Sequence, residues 1–104
     1  MAIGAGIAIY SNESVRSVNM TLKIERYSDG RITTIRLIGR MRAEHLAELE
    51  QQIGDSTPKV LLDLEELNLV DVEVVRYLGS CELRGIALTN CSAYIKDWIA
   101  KERN

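Results

Sequence analysis

The sequence is poor in aromatic and metal-binding residues, and these shortages exclude several kinds of site. It has no phenylalanine, one tryptophan and four tyrosines, so we expect a core of aliphatic side chains. His45 is the only histidine, and the spacing of Cys81 and Cys91 matches no zinc or redox motif. We therefore expect no metal or other cofactor, and we interpret both cysteines as reduced, half-buried packing residues.

The chain also lacks an excess of charge of either sign. Thirteen Lys and Arg residues are interspersed with 15 Asp and Glu residues, which leaves a formal net charge of −2. Such a surface has no basic stripe for DNA or RNA and no basic face for a membrane, so neither partner is expected.

Long hydrophobic runs are absent as well. The apolar run Ala2–Tyr10 is far shorter than the roughly 20 residues that span a bilayer. No Lys or Arg precedes it and no clear cleavage site follows, so a signal peptide is not indicated. These features predict a cytoplasmic protein.

At 104 residues the chain is predicted to form one domain. Residues 1–19 differ from the rest, because the polar tract Ser11–Asn19 shows no periodicity. We interpret residues 1–19 as a loosely ordered extension and residues 20–104 as the folded domain. An edge strand over Ile3–Ile9 is the alternative.

The first half of this domain predicts a hairpin and a helix. Thr21–Tyr27 and Ile32–Ile38 have strand patterns, and Asp29-Gly30 between them is a tight-turn signal, which predicts an antiparallel pair. Ala43–Ile53 places its leucines and isoleucine on one face and its acids on the other, as in an amphipathic helix.

The second half alternates strands with helices. Val60–Leu64 is almost wholly apolar, which is typical of a central strand covered on both faces. A helix from about Val72 to Glu82 follows, with Asp71 as its N-cap. Ile86–Leu88 is predicted to be a short strand, and Ser92 to cap a last helix. The fold class is therefore α/β: a four-stranded mixed sheet in the order β-β-α-β-α-β-α.

Three segments of this pattern resemble the STAS domain of bacterial anti-sigma factor antagonists. They are the strand end Ile35–Gly39, the buried strand ending in Leu62–Leu64, and Val70-Asp71 opening a helix. The resemblance covers about residues 20–101, although none of its motifs is highly specific. It implies a non-catalytic module that regulates a protein partner by docking, with an anti-sigma factor or related kinase as the implied partner.

The sequence departs from the family pattern at two positions. Regulated members carry a phosphorylatable Ser or Thr after the helix-opening Asp, and a glycine two residues later. Here Val72 and Val74 occupy those positions, so the usual phosphorylation switch is excluded at Val72. Asp71 and Glu73 could hold the site in one electrostatic state, but we favour the simpler interpretation that both acids stabilise the helix start.

A partner is predicted to bind at one surface, which we call the docking surface. Its contact area would be larger if its apolar residues were exposed. The docking surface consists of Leu67, Asn68, Leu69, Val70, Asp71, Val72, Glu73 and Arg76. A structural adaptor or accessory subunit of a signalling or transport assembly is the alternative function. A small-molecule sensor is a third.

The remaining candidates for chemistry have simpler interpretations. His45 falls on the polar side of its helix and is predicted to be solvated. Asp63, beside Glu65 and Glu66, is interpreted as a loop acid and not as a cation ligand. Trp98 is expected to face the core. No nucleophile with a nearby base can be named, so catalysis has no support.

Overall fold

The computed structural model describes residues 15–18, 21–54 and 59–103, the first of these ranges by its backbone alone. The alternative strand Ile3–Ile9 and the connection at residues 55–58 lie outside these ranges. The strands are β1 (Val15–Val18), β2 (Leu22–Ser28), β3 (Ile32–Met41), β4 (Lys59–Asp63), β5 (Leu67–Val70) and β6 (Ala87–Thr89). The helices are a 3₁₀ turn (Ala43–His45), α1 (Leu46–Gly54), α2 (Val72–Leu83) and α3 (Ala93–Arg103).

The predicted hairpin between β2 and β3 is confirmed. Its turn follows from the Asp29-Gly30 pair. The carboxylate of Asp29 accepts hydrogen bonds from the backbone N–H groups of Arg31 at 2.9 Å and Ile32 at 2.8 Å. These hydrogen bonds hold the pKa of Asp29 below its ordinary value. Gly30 has a φ of +91°, a conformation that favours glycine.

The sheet contains six strands in the described part of the chain, so the predicted four-stranded sheet is wrong. Its main path runs β1-β2-β3-β4-β6, and β5 pairs with β3. β2 lies antiparallel on one edge of β3, whereas β4 and then β5 lie parallel along its other edge. Neither β1, which lies in the segment interpreted as a loosely ordered extension, nor β5 was among the four predicted strands. The mixed α/β class is confirmed.

The core lies on one face of the sheet. Burial alternates along β3, where Thr33, Ile35, Leu37 and Met41 are buried and their neighbours are not. The helices contribute their buried side chains to the same cluster. In β4, Leu61 and Asp63 are only half-buried, so the prediction that helices cover both faces of this strand is wrong. The apolar sequence alone did not show whether one face or both faces of the strand are covered.

The two predicted helix caps are confirmed. Asp71 accepts a hydrogen bond from the N–H of Val74 at 3.0 Å, and Ser92 accepts one from Ile95 at 3.2 Å. In α3, Ile95 and Ile99 are buried, and Trp98 is half-buried against the core as predicted. Tyr94, one turn before Trp98, is exposed.

The prediction that His45 is solvated is wrong. Its side chain is fully buried, and its Nδ1 accepts a hydrogen bond from the backbone N–H of Arg42 at 3.0 Å. A continuous α-helix from Ala43 would place this residue on the polar side. The segment instead begins with a 3₁₀ turn, whose tighter winding changes the direction of its side chains.

None of the helices in the described ranges is long and apolar enough to cross a bilayer.

Candidate docking site

The docking surface begins where β3 ends, and Gly39 sets the backbone there. Gly39 has a φ of +105°, and a Cβ at this position would lie 2.3 Å from the carbonyl oxygen of Thr21. Its N–H donates to the carbonyl of Glu66 at 2.9 Å, and the N–H of Arg40 donates to Thr21 at 2.7 Å. The end of β3 is thus fastened both to the residue before β2 and to the residue before β5, which only glycine allows.

A β-bulge in β5 exposes the apolar part of the docking surface. Gly39 pairs with Leu67 and Arg40 pairs with Leu69, so Asn68 is the extra residue between two steps of the ladder. Leu67 is 4% exposed and belongs to the core, whereas Leu69 is 52% exposed. Because of the bulge, Asn68 and Leu69 are both exposed although they are consecutive in the strand.

Asp71 connects two helices. One carboxylate oxygen caps α2 through the N–H of Val74, and the other accepts a hydrogen bond from the N–H of Ala43 at 3.0 Å. Ala43 is the first residue of the 3₁₀ turn, so the N-termini of both helices meet at one carboxylate. Negative charge at a helix N-terminus is favourable, because the first N–H groups lack partners within the helix.

The remaining predicted residues surround this junction. Val70 and Val72 are half-buried, and Glu73 and Arg76 are exposed. Arg76 donates to Glu102 of α3 at 2.9 Å and lies 3.4 Å from Glu73. The hydrogen bond to Glu102 is the main cause of a raised pKa at Arg76. Four of the eight predicted residues therefore face outward: Asn68, Leu69, Glu73 and Arg76.

Two exposed arginines beside this surface were missed at the sequence level. Arg40 is the ladder partner of Leu69, and Arg42 follows β3 directly. The signal was present in Arg40-Met41-Arg42, because polar residues on both sides of an apolar one continue the strand alternation beyond Ile38.

Asp63 is the last residue of β4 and is half-buried among structural partners, so its interpretation as a loop acid is wrong. It accepts hydrogen bonds from the N–H of Glu65 at 3.1 Å and from Asn90 at 3.2 Å. Its other oxygen lies 3.8 Å from Arg36, which also pairs with Glu25 and Glu66. No group of three or more potential metal ligands occurs among the residues described by the structure.

A second polar cluster joins α1 to the C-terminal half of α2. Glu50 accepts hydrogen bonds from Tyr77 and from Arg84, the latter at 3.0 and 3.2 Å. The hydrogen bonds from Arg84, and to a smaller extent the one from Tyr77, hold the pKa of Glu50 below its ordinary value. Burial, followed by the bond to Glu50, raises the pKa of Tyr77. The docking surface lies at the other end of α2.

A groove of about 280 Å³ lies beside α3 near the end of α2. Its lining includes Leu88, Cys91 and Ile99, with Lys96 among the polar residues. Burial is the main cause of a raised pKa at the Cys91 thiol, and it raises the pKa of Cys81 to about 11. Both cysteines are free thiols, as predicted, but Cys81 is fully buried and not half-buried. Neither thiol is activated as a nucleophile.

No protein-family model and no curated protein matches this chain. The likeness to STAS domains therefore rests on the segments ending at Gly39, Leu64 and Asp71 alone.

Proposed function

We propose that this protein is a non-catalytic docking module that regulates a protein partner in the manner of an anti-sigma factor antagonist. The exposure of Leu69 carries the proposal. A bulge turns this leucine out of the sheet while its neighbour Leu67 remains in the core. An exposed apolar side chain with a polar residue beside it is a suitable centre for a protein contact.

The rigidity of the surrounding backbone supports the same proposal. Gly39 fastens one side of the bulge, and Asp71 fixes the start of α2 directly after it. A surface held in one conformation loses little conformational entropy when a partner binds. Leu69 would therefore contact its partner without a preceding rearrangement.

The proposed regulation is by binding alone. Val72 provides no hydroxyl for phosphorylation, and the carboxylate of Asp71 already accepts the N–H groups at the two helix starts. A Val72→Ser variant tests the relation to the phosphorylated family members. If the partner is a related kinase, we expect purified kinase to transfer phosphate to the variant but not to the natural protein. Absence of transfer would argue against a kinase partner.

Affinity capture from the native cell tests the docking function, with Leu69→Asp as the disrupting variant. Leu83, which is 81% exposed at the other end of α2, provides the matched control Leu83→Asp. We expect a protein retained by the natural chain and by Leu83→Asp to be lost with Leu69→Asp. Equal retention by both variants would contradict docking through Leu69. An Asp71→Lys variant is less informative, because it also removes two structural hydrogen bonds.

The identity of the retained protein separates the two proposed roles. An ATP-binding anti-sigma protein would support the antagonist role. Recovery of a stable multi-subunit signalling or transport assembly would support the adaptor role instead.

A further inference from the structure

We infer that the partner presents an acidic segment, whose carboxylates pair with Arg40 and Arg42 while an apolar side chain beside them packs on Leu69. This inference rests on the proposed docking function and specifies the chemistry of the partner. It adds two residues of β3 to the docking surface and predicts the sign of the charge that faces them.

The backbone places the three side chains together. Arg40 and Leu69 are partners in the parallel ladder between β3 and β5, where neighbouring strands lie about 5 Å apart. Both residues are exposed, so they project from the same side of the ladder. Arg42 is two residues beyond Arg40, with buried Met41 between them and an extended backbone of φ −124° and ψ 169° at Arg42. The two arginines therefore share one face.

These two arginines lack the acidic partner that several other arginines have. Of the nine arginines in the chain, four form ion pairs within the described ranges: Arg36, Arg76, Arg84 and Arg103. Among the residues that the structure describes, the guanidinium groups of Arg40 and Arg42 form no ion pair. A guanidinium group presents a planar fork of donors that matches a carboxylate, so a partner's Asp or Glu is its natural counterpart.

Several observations favour a protein segment over a nucleic acid. The chain carries a net charge of −2, and Glu44 and Glu73 lie in the first turns of the two helices that meet at Asp71. Phosphate backbones bind broad basic surfaces, whereas this one offers two arginines beside a leucine. Charged groups around an apolar centre are the usual arrangement of a protein contact.

Selection from a random library of short peptides displayed on phage tests the inference. The bait is the full chain in three forms: natural, Arg40→Glu with Arg42→Glu, and the control Arg31→Glu. Arg31 is exposed in the turn before β3, at the opposite end of this ten-residue strand, so its reversal changes the charge of the chain away from the docking surface. The free energy of unfolding of each form is measured to verify that it folds.

We expect the natural chain and Arg31→Glu to select peptides with Asp or Glu around an apolar residue, and the double variant to lose this preference. A synthetic peptide from the selection should bind the double variant at least about tenfold more weakly, with a smaller dependence on ionic strength. Leu69→Asp should weaken the binding of the same peptide.

Three results would overturn the inference: no acidic preference with the natural chain, an unchanged preference with the double variant, or binding of single-stranded DNA that requires the two arginines. In the affinity capture, a cellular protein that is lost with Leu69→Asp but retained by the double variant would reject the acidic partner and preserve the docking function. If no binding depends on Leu69, both the acidic partner and the docking function are rejected.

Discussion

The carboxylate of Asp71 holds the start of α2 to the 3₁₀ turn before α1, because its two oxygens accept N–H groups from Val74 and Ala43, each at 3.0 Å. A residue that capped only its own helix would accept the hydrogen bond from Val74 alone. The second bond makes Asp71 a junction between two segments that are 28 residues apart in the chain. This junction lies directly after the exposed part of the docking surface.

Replacing Asp71 should destabilise the fold by more than the loss of an ordinary cap. We expect Asp71→Ala to lower the free energy of unfolding by about 1–3 kcal/mol, measured by urea denaturation. Asp71→Asn should lie between this variant and the natural chain, since asparagine caps a helix as well as aspartate but has one acceptor oxygen. As a control, Asp97→Ala removes an exposed pair with Lys101 and should cost about 0.5 kcal/mol or less. If Asp71→Asn is as stable as the natural chain, the bond to Ala43 contributes nothing.

Gly39 and Gly30 form a matched pair for testing the backbone beside the docking surface. Both have a positive φ, but a Cβ at Gly30 meets no atom within 4 Å, whereas one at Gly39 would lie 2.3 Å from Thr21. We expect Gly30→Ala to lower the free energy of unfolding by about 1 kcal/mol and Gly39→Ala to lower it by about 3 kcal/mol or more, measured by denaturant titration. Equal costs would mean that the end of β3 can move away from β2.

The cluster around Glu50 should make stability depend on pH in the acidic range. The lowered pKa of Glu50 means that its contribution is present above its ordinary value of 4.5 and is lost as the pH falls through the folded-state value. A Glu50→Gln variant should therefore be less stable than the natural chain at neutral pH and approach it in acid. Because Glu50 is about half exposed, the difference at neutral pH should be about 1 kcal/mol or less. A difference that is constant with pH would contradict the ionic role of Glu50.

The two thiols should react at different rates with a disulfide reagent in mild alkali. Cys81 is fully buried and its pKa is raised to about 11, so it should react only when the protein unfolds. Cys91 is half-buried with a raised pKa and should react in the native state, but more slowly than free cysteine. Cys91→Ser should remove the native-state reaction. Rapid labelling of this variant would show that Cys81 is accessible.

The hairpin and the two capped helices could be predicted because local chemistry determines them. An Asp-Gly turn, an Asp before α2 and a Ser before α3 each satisfy nearby backbone N–H groups, and this is visible in a few consecutive residues. The errors concern features that depend on distant partners. The strand β5 forms because Gly39–Met41 of β3 provides an open ladder for it, and the burial of His45 depends on a 3₁₀ turn.

The candidate site shows the same division. Asp71 was identified as a cap from the residues that follow it, but its bond to Ala43 could not be inferred without the tertiary fold. Leu67 and Leu69 were indistinguishable in sequence, because the bulge at Asn68 decides which one is exposed. The contribution of Arg40 became apparent only from its pairing with Leu69.

Hydrogen exchange of the chain with and without the captured partner tests the docking surface most directly. We predict slower exchange of backbone amides in the partner complex at Asn68–Glu73 and at Arg40–Arg42, with little change around the groove at Cys91. Slower exchange confined to that groove or to α3, with Asn68–Glu73 unaffected, would contradict docking through Leu69.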